Sequence, residues 1–424
     1  MQKMKLKCIT CGKEYSAKEI RYNCDCGDLL EVIIDFSLFN RTSEEWKQYF
    51  DNRKDKFAFL RYKDFLLPDL PEDKIITLGE GDTPLYQANE KVQDYFGVKD
   101  LWFKHEGMSP PTLSFKDRGM VAGVSWANYL GIKKVACAST GDTSAAMSAY
   151  AANSKTIEAI VLLPEGKISF EQLAQAISYN ATTIGLKTDF DGCMKLVKDL
   201  TAKHKIYLLN SMNSIRIEGQ KAIGIEVVQK LKWDVPDWFI IPVGNAGNIS
   251  ALGKGLRELF DLGIITKIPR IAGVETEAAP PLYKSFINNW AELKPIKAKK
   301  TIASAIQIGN PVSFKKAVRE LKYFNGVMEQ VSETELMDAK TIVDASGISV
   351  CPNSGTALAG LKKLVEKGTI KPDEKVVVII TAHGAKFSKS IQEYHENKEN
   401  KFANQPKIID ANINSIEKII EEKK

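Results

Sequence analysis

Histidine is scarce in this chain of 424 residues, with four in all. None of them sits in a nucleophile-and-base constellation, so a histidine-driven triad is a poor fit. Long apolar runs are missing as well. No stretch approaches the roughly 18–20 residues that a membrane span needs. A charge excess of one sign is also lacking. The net charge is +6, and Asp and Glu stand beside most Lys runs. That balance suits small anionic substrates and speaks against a nucleic-acid partner. There is no internal repeat or low-complexity segment, no Walker loop and no Gly-x-Gly-x-x-Gly fingerprint. The start, Met1-Gln2-Lys3-Met4-Lys5, has no apolar signal core, so the expectation is a cytoplasmic protein without a membrane partner.

Cysteine is present in an odd number, seven, and four of these fall within the first 26 residues. Cys8-Ile9-Thr10-Cys11 and Cys24-Asp25-Cys26-Gly27 form two closely spaced pairs. This clustering reads as a metal knuckle rather than a secretory disulfide framework. Four thiolates suffice for a tetrahedral ion. The second pair is Cys-x-Cys, one residue shorter than the usual Cys-x2-Cys, so bound zinc and a metal-free knuckle both stand open.

The length calls for more than one core. Residues 1–77 read as the Cys-rich knuckle, a strand over Leu29–Ile34 and a helical connector. Beyond Leu78, short apolar runs alternate with helical periodicity. The runs are Lys133–Cys137, Ala159–Leu163, Ile206–Leu209, Trp238–Val243, Ile271–Val274 and Lys375–Thr381. Helices are expected over Met120–Leu130, Phe170–Ser178, Gly192–Lys203, Glu218–Leu231, Ile249–Leu262 and Glu333–Ala345. This alternation predicts an α/β protein with two open, mostly parallel twisted sheets under covering helices. The division expected is a large domain from 78–125 and 236–400, a smaller α/β domain over 126–235, and a tail over 401–424.

Ligands in such sheets bind where strands end, and three junctions carry unusual chemistry. In Ser139-Thr140-Gly141-Asp142-Thr143-Ser144 a strand runs into an Ala-rich helix. Hydroxyls and free amide N–H groups there make an anion cradle; the plainer reading is an N-cap by Asp142 or Thr143. Gly244-Asn245-Ala246-Gly247-Asn248 follows a buried-type strand and can form a nest of N–H groups around phosphate. The plainer alternative is a tight turn with an Asn cap. Thr381 ends the strand Lys375–Thr381 and would face a pocket with a neutral hydroxyl. Alone it reads as an ordinary strand-ending residue. Ser114-Phe115-Lys116-Asp117-Arg118 would by itself read as a solvated charge run.

Together these stretches resemble the threonine synthases, in the plant-type form Ser-Thr-Gly-Asp-Thr-Ser-Ala-Ala. That family belongs to the pyridoxal-phosphate (PLP) enzymes of the tryptophan-synthase-β-like fold, fold type II. The likeness runs from about Leu78 to Phe387 and includes, in order, Gly79–Leu85, Asp189–Cys193, Asn210–Arg216, Ala303–Gly309 and Cys351–Thr356. The approach to the lysine, Glu106–Leu113, departs from the family pattern: one residue more, Ser for Asn and Leu for Gly.

The resemblance implies that Lys116 carries PLP through its amine, which burial would keep partly uncharged. It implies that Gly244, Asn245, Ala246, Gly247 and Asn248 hold the cofactor phosphate and that Thr381 meets the ring nitrogen. Asp142 stands where many relatives carry an Asn against the ring hydroxyl. Ser139, Thr140, Thr143 and Ser144 would take the substrate carboxylate. Lys104, Asn213 and Arg216, with Ser114, are candidates for the substrate phosphate. Cys8, Cys11, Cys24 and Cys26 resemble the zinc-ribbon start of some relatives. The expected activity is conversion of O-phospho-L-homoserine and water to L-threonine and phosphate by a homodimer. The competing readings are another lyase of this fold, such as a threonine or serine dehydratase, and a non-catalytic metabolite binder. A dehydratase has no use for a second phosphate site, and a binder none for Lys116.

Overall fold

A run such as Trp238–Pro242, apolar at every position, cannot leave either face in water, and it becomes the buried middle of a sheet. The computed structural model describes residues 2–54, 56–139, 141–165, 170–188 and 190–421. Six strands form the larger sheet, in the order Val327–Val331, Arg270–Thr276, Trp238–Pro242, Lys375–Ile380, Asp100–His105, Leu85–Gln87. Every neighbouring pair is parallel except the last, where Leu85–Gln87 runs antiparallel. A second sheet of four parallel strands is ordered Thr182–Leu186, Glu158–Pro164, Lys134–Ala138, Tyr207–Leu208. Helices connect successive parallel strands and cover them, as a parallel sheet requires.

The six apolar runs of the sequence all become strands, with ends that differ by up to two residues, but the inner strand Asp100–His105 was not among them. Two edge strands were not expected either. Thr182–Leu186 is largely exposed, and Val327–Val331 carries Glu329 and Gln330. Where one helix over Glu218–Leu231 was expected, there are two, Ser214–Gln220 and Ala222–Lys230. The first begins earlier because Asn213 caps it, accepting the Ile215 N–H at 2.9 Å.

The N-terminal residues make a third, antiparallel sheet, with Met4–Cys8 between Glu14–Ser16 and Leu30–Ile34. Its last strand is docked on the body that holds the larger sheets by donors to its carbonyls. Lys254 Nζ reaches Val32 O at 2.8 Å, and Lys316 Nζ and Ser214 Oγ both reach Leu30 O. The connector after it is helical and aromatic. Trp46, Phe50 and Phe65, all fully buried, pack edge to face. The tail ends in a helix, Ile413–Glu421, whose Ile413, Ile416 and Ile420 are exposed. Among the described residues no helix is long and apolar enough to cross a membrane.

Candidate active site

Of the three strand-end junctions, the one at Thr381 pairs with the segment that leads into Lys116, and Asp142, in the first, acts on the Lys116 amine. The segment 113–115 pairs with 381–383: Phe115 N–H donates to Thr381 O at 3.0 Å, and His383 N–H to Leu113 O at 3.1 Å. This pairing puts Lys116, the first residue of the helix Lys116–Tyr129, beside the end of the central strand Lys375–Ile380. Leu113 turns the chain with φ +60°, a conformation glycine adopts without strain. The position is therefore one where the family's glycine is at home and leucine is not.

Lys116 keeps some accessible surface, yet its amine is held down to about 7, from the usual 10.5. Burial is the main cause, nearby Arg216 adds to it, and Asp142 opposes both. A good fraction of this amine is uncharged at neutral pH, which is what a nucleophilic or proton-moving lysine needs. Ser114 is buried, and its hydroxyl accepts the Lys116 N–H at 3.1 Å.

Gly244–Asn248 leads into the helix Gly247–Asp261 through Ala246, whose φ is +62°. The first N–H groups of a helix have no partner within it. A Cβ on Gly244 would sit 2.8 Å from the Ile306 backbone, so only glycine lets the loop lie this close. Two asparagines brace the loop: the Asn248 side chain donates through Nδ2 to Pro242 O at 2.6 Å, and the Asn245 backbone carbonyl accepts the Ser313 N–H at 3.1 Å. The Ser313 hydroxyl is buried without a hydrogen-bond partner and lies 3.9 Å from where a Gly247 Cβ would be. An orphaned hydroxyl beside a row of free N–H groups fits a phosphate. Sequence reasoning missed Ser313, which follows no recognisable pattern.

Thr381 is 5% exposed. Its N–H donates to Ser354 Oγ at 2.7 Å, and its hydroxyl lies 3.0 Å from the same oxygen. Cys351 Sγ is 3.6 Å from that hydroxyl. The hydroxyl pair is neutral, so it can bond a pyridine nitrogen without forcing a proton onto it. Ser354 lies in the stretch Cys351–Thr356 and was given no role from sequence.

The expected carboxylate cradle is only partly described, because Thr140 lies outside the described residues; Asp189, of the stretch Asp189–Cys193, lies outside them too. Ser139 Oγ accepts the N–H groups of Gly141 and Ser144, each at 3.3 Å, and Ser144 Oγ donates to Gly141 O at 2.7 Å. Thr143 is half-buried in the first turn of the helix Asp142–Asn153. Asp142 forms an ion pair with Lys386 at 2.7 Å.

The candidate cations differ sharply. Lys104 is fully buried and engaged, its ammonium donating to Glu226 and, at 2.6 Å, to Thr83 O. Arg216 is 2% exposed; one nitrogen donates to Leu209 O at 2.7 Å, and Nε has no partner. Among the described residues Arg216 has no carboxylate partner, and burial pulls it down from 12.5 to about 10. Asn213 is spent on structure, capping its helix and donating to Leu208 O at 2.9 Å.

Far along the chain, the four N-terminal thiols gather. Cys8, Cys11, Cys24 and Cys26 have Sγ atoms all within 4.8 Å of one another. The short Cys-x-Cys pair does not prevent this, because Gly12 and Gly27 turn with φ of +74° and +90°. Tyr15 bonds Cys24 Sγ at 3.1 Å and holds that thiol down to about 6. The spacing suits a tetrahedral thiolate site.

Comparison with known proteins agrees with this geometry. Residues 76–382 match the family described as pyridoxal-phosphate dependent enzyme. The threonine synthase of Methanocaldococcus jannaschii is 46% identical over 90% of this chain and 92% of its own. Threonine synthase 2, chloroplastic, from Arabidopsis thaliana is 43% identical over 97% of this chain and 82% of its own. Among solved structures, threonine synthase from Escherichia coli superposes with a TM-score of 0.70 at 20% identity, covering 99% of this chain and 100% of that one. A threonine deaminase from Solanum lycopersicum gives 0.64 at 20% identity over 83% and 88%. At that identity these two speak for the fold alone.

Proposed function

Because the chain belongs to the threonine synthases, a branch of the pyridoxal-phosphate dependent enzymes, we propose that it converts O-phospho-L-homoserine and water to L-threonine and phosphate. The observation that carries this reading is a buried cation, Arg216, that has no carboxylate partner among the described residues and is close enough to Lys116 to depress its proton affinity. A buried charge is retained only where something pairs it. A substrate phosphate is such a partner, and a dehydratase substrate has none to offer.

Bound PLP supplies an electron sink for charge developing at the substrate's Cα. The Gly244–Asn248 amides, with Ser313, would hold its phosphate. Thr381, steadied by Ser354, would hold the ring nitrogen. Lys116 would bear the cofactor and, once free, move protons at Cα and Cβ, being tethered within reach of both. Arg216 would bind the substrate phosphate in bidentate fashion. Ser114, fixed against the Lys116 backbone, and Asn213, which holds Arg216's helix, serve that clamp from behind. Lys104, committed to Glu226, has the weakest case for contact. Ser139, Thr143, Ser144 and the start of their helix would take the α-carboxylate, with Thr140 in the same stretch.

We read the thiol knuckle as a structural zinc site on its sulfur spacing. A cytoplasmic homodimer completes the proposal; sedimentation at micromolar concentration reads the assembly. The function is tested by supplying O-phospho-L-homoserine to the purified protein and measuring threonine and phosphate together. Equal amounts of both are expected. Release of 2-oxobutanoate and ammonia instead would establish the dehydratase reading.

A further inference from the structure

Lys386 plays no part in the site as read from sequence, yet it touches two of the site's walls. It lies in the turn Gly384–Phe387, which follows the central strand of the larger sheet. His383 Nδ1 caps that turn by accepting the Ala385 N–H at 3.1 Å. Gly384 packs so closely on Ser349 and Val350 that a Cβ there would meet Ser349 Oγ at 2.5 Å. From this fixed base the Lys386 ammonium spans to Asp142, at the start of a helix of the four-stranded sheet, at 2.7 Å. It also donates to Thr112 O at 2.7 Å. Thr112 in turn gives its N–H and hydroxyl to the buried carboxyl of Asp117, at 3.1 and 2.7 Å. One ammonium thus joins both sheets and the loop that leads into Lys116. Both partners of the ion pair are little exposed, 12% and 10%, so solvent does not screen them as it screens surface pairs.

We propose that Lys386 is a positioning residue: it fixes Asp142 across the space between the sheets and balances its charge beside Lys116. The inference rests on the reading of Lys116 as the cofactor-bearing residue. The groups that act on Lys116 are Arg216 and Asp142. Asp142 is answered by Lys386, which also acts on Asp117, where Glu80 opposes it. With the pair intact, Asp142 already favours the protonated Lys116 amine, and Lys386 offsets part of that pull. With Lys386 neutral, an uncompensated carboxylate favours the protonated amine. With Asp142 neutral, the leftover ammonium disfavours it.

The test is the pH dependence of PLP attachment to the full-length apoprotein. Adducts are trapped by borohydride and located on the Lys116 peptide by mass. Lys386→Gln is expected to move the midpoint for attachment up by on the order of one pH unit. Asp142→Asn should move it down, and the double variant should return near wild type. Lys386→Arg should hold the wild-type midpoint. Opposite shifts that cancel are a signature of charge; a lysine that merely supported the fold would lower attachment at every pH without moving the midpoint. Attachment at Lys116 with unshifted midpoints in Lys386→Gln, or a double variant as shifted as the single, overturns the proposal alone. Adduct persisting in Lys116→Ala overturns the site reading, and this proposal with it.

Discussion

Two buried charge systems share the helix Lys116–Tyr129 and the strand that leads to it, and they are built on opposite principles. In the first, Arg118 forms hydrogen-bonded ion pairs with both Glu106 and Glu226, and Glu226 also takes the Lys104 ammonium. Glu226 receives the N–H groups of Asp82 and Thr83 at 3.0 and 2.9 Å, pinning the Gly79–Leu85 segment. Its carboxyl lies well below the usual range, chiefly because Arg118 and Lys104 outweigh the cost of burial. In the second, Lys116 and Arg216 are both cations, both depressed by burial. Among the described residues Asp142 is the one carboxylate acting on Lys116, and Lys386 already answers it. A network whose charges all cancel holds a fold together. A pair of unanswered cations is tolerated only if a ligand arrives to answer them. The two systems also lie close in sequence, Lys116 and Arg118 being two residues apart, so proximity to Lys116 does not by itself assign a role.

The contrast can be broken in graded ways. Lys116→Ala should abolish turnover, by about 10³-fold or more, and remove the cofactor's absorbance from the purified protein; residual turnover within tenfold of wild type would move catalysis elsewhere. Glu226→Gln, in the closed network, leaves Arg118 and Lys104 short of a charge and should cost about 3–5 kcal/mol of stability, read from urea unfolding. An unchanged midpoint would reduce that network to the standing of surface pairs. A third effect is smaller and depends on pH. The folded apoprotein holds the Lys116 proton less tightly, about 7 against 10.5. The unfolded chain therefore binds more protons between those values, and apoprotein stability should rise with pH across that window. Lys116→Met removes the group, so its stability advantage over wild type, on the order of 4 kcal/mol near pH 7, should shrink towards pH 10. An advantage constant with pH would mean that the amine is not desolvated. The smallest effect on catalysis is expected at the knuckle: Cys11→Ser, at an exposed thiol, should cost the bound zinc while lowering kcat/KM less than about threefold. Equal metal content in wild type and variant would remove zinc from the site.

Much of this architecture was legible in the sequence. Trp238–Pro242 and Lys375–Ile380 announce themselves because a central parallel strand must be apolar on both faces. The turn at Gly244–Asn248, between a strand and a helix, was legible because its glycines and its place after a strand follow from local backbone chemistry. Thr182–Leu186 was not, because an edge strand exposed to water needs no apolar pattern. Ser313, Ser354 and Lys386 were hidden for another reason. Each acts through a partner distant in sequence, as Lys386 does on Asp142, and no local period encodes such a pairing. Lys104 shows the converse: a cation placed well along the chain for a phosphate is buried in an ion network instead.

We propose that Arg216 is kept without a carboxylate for the substrate phosphate while Glu226 is paired for the fold. The decisive measurement is kcat/KM for O-phospho-L-homoserine together with Tm, in Arg216→Ala and Glu226→Gln side by side. Arg216→Ala is expected to keep its Tm within about 2 °C and to lose about 10²-fold or more in kcat/KM, whereas Glu226→Gln shows its loss chiefly in Tm. An Arg216→Ala enzyme with undiminished kcat/KM, or one that melts as early as Glu226→Gln, would contradict it.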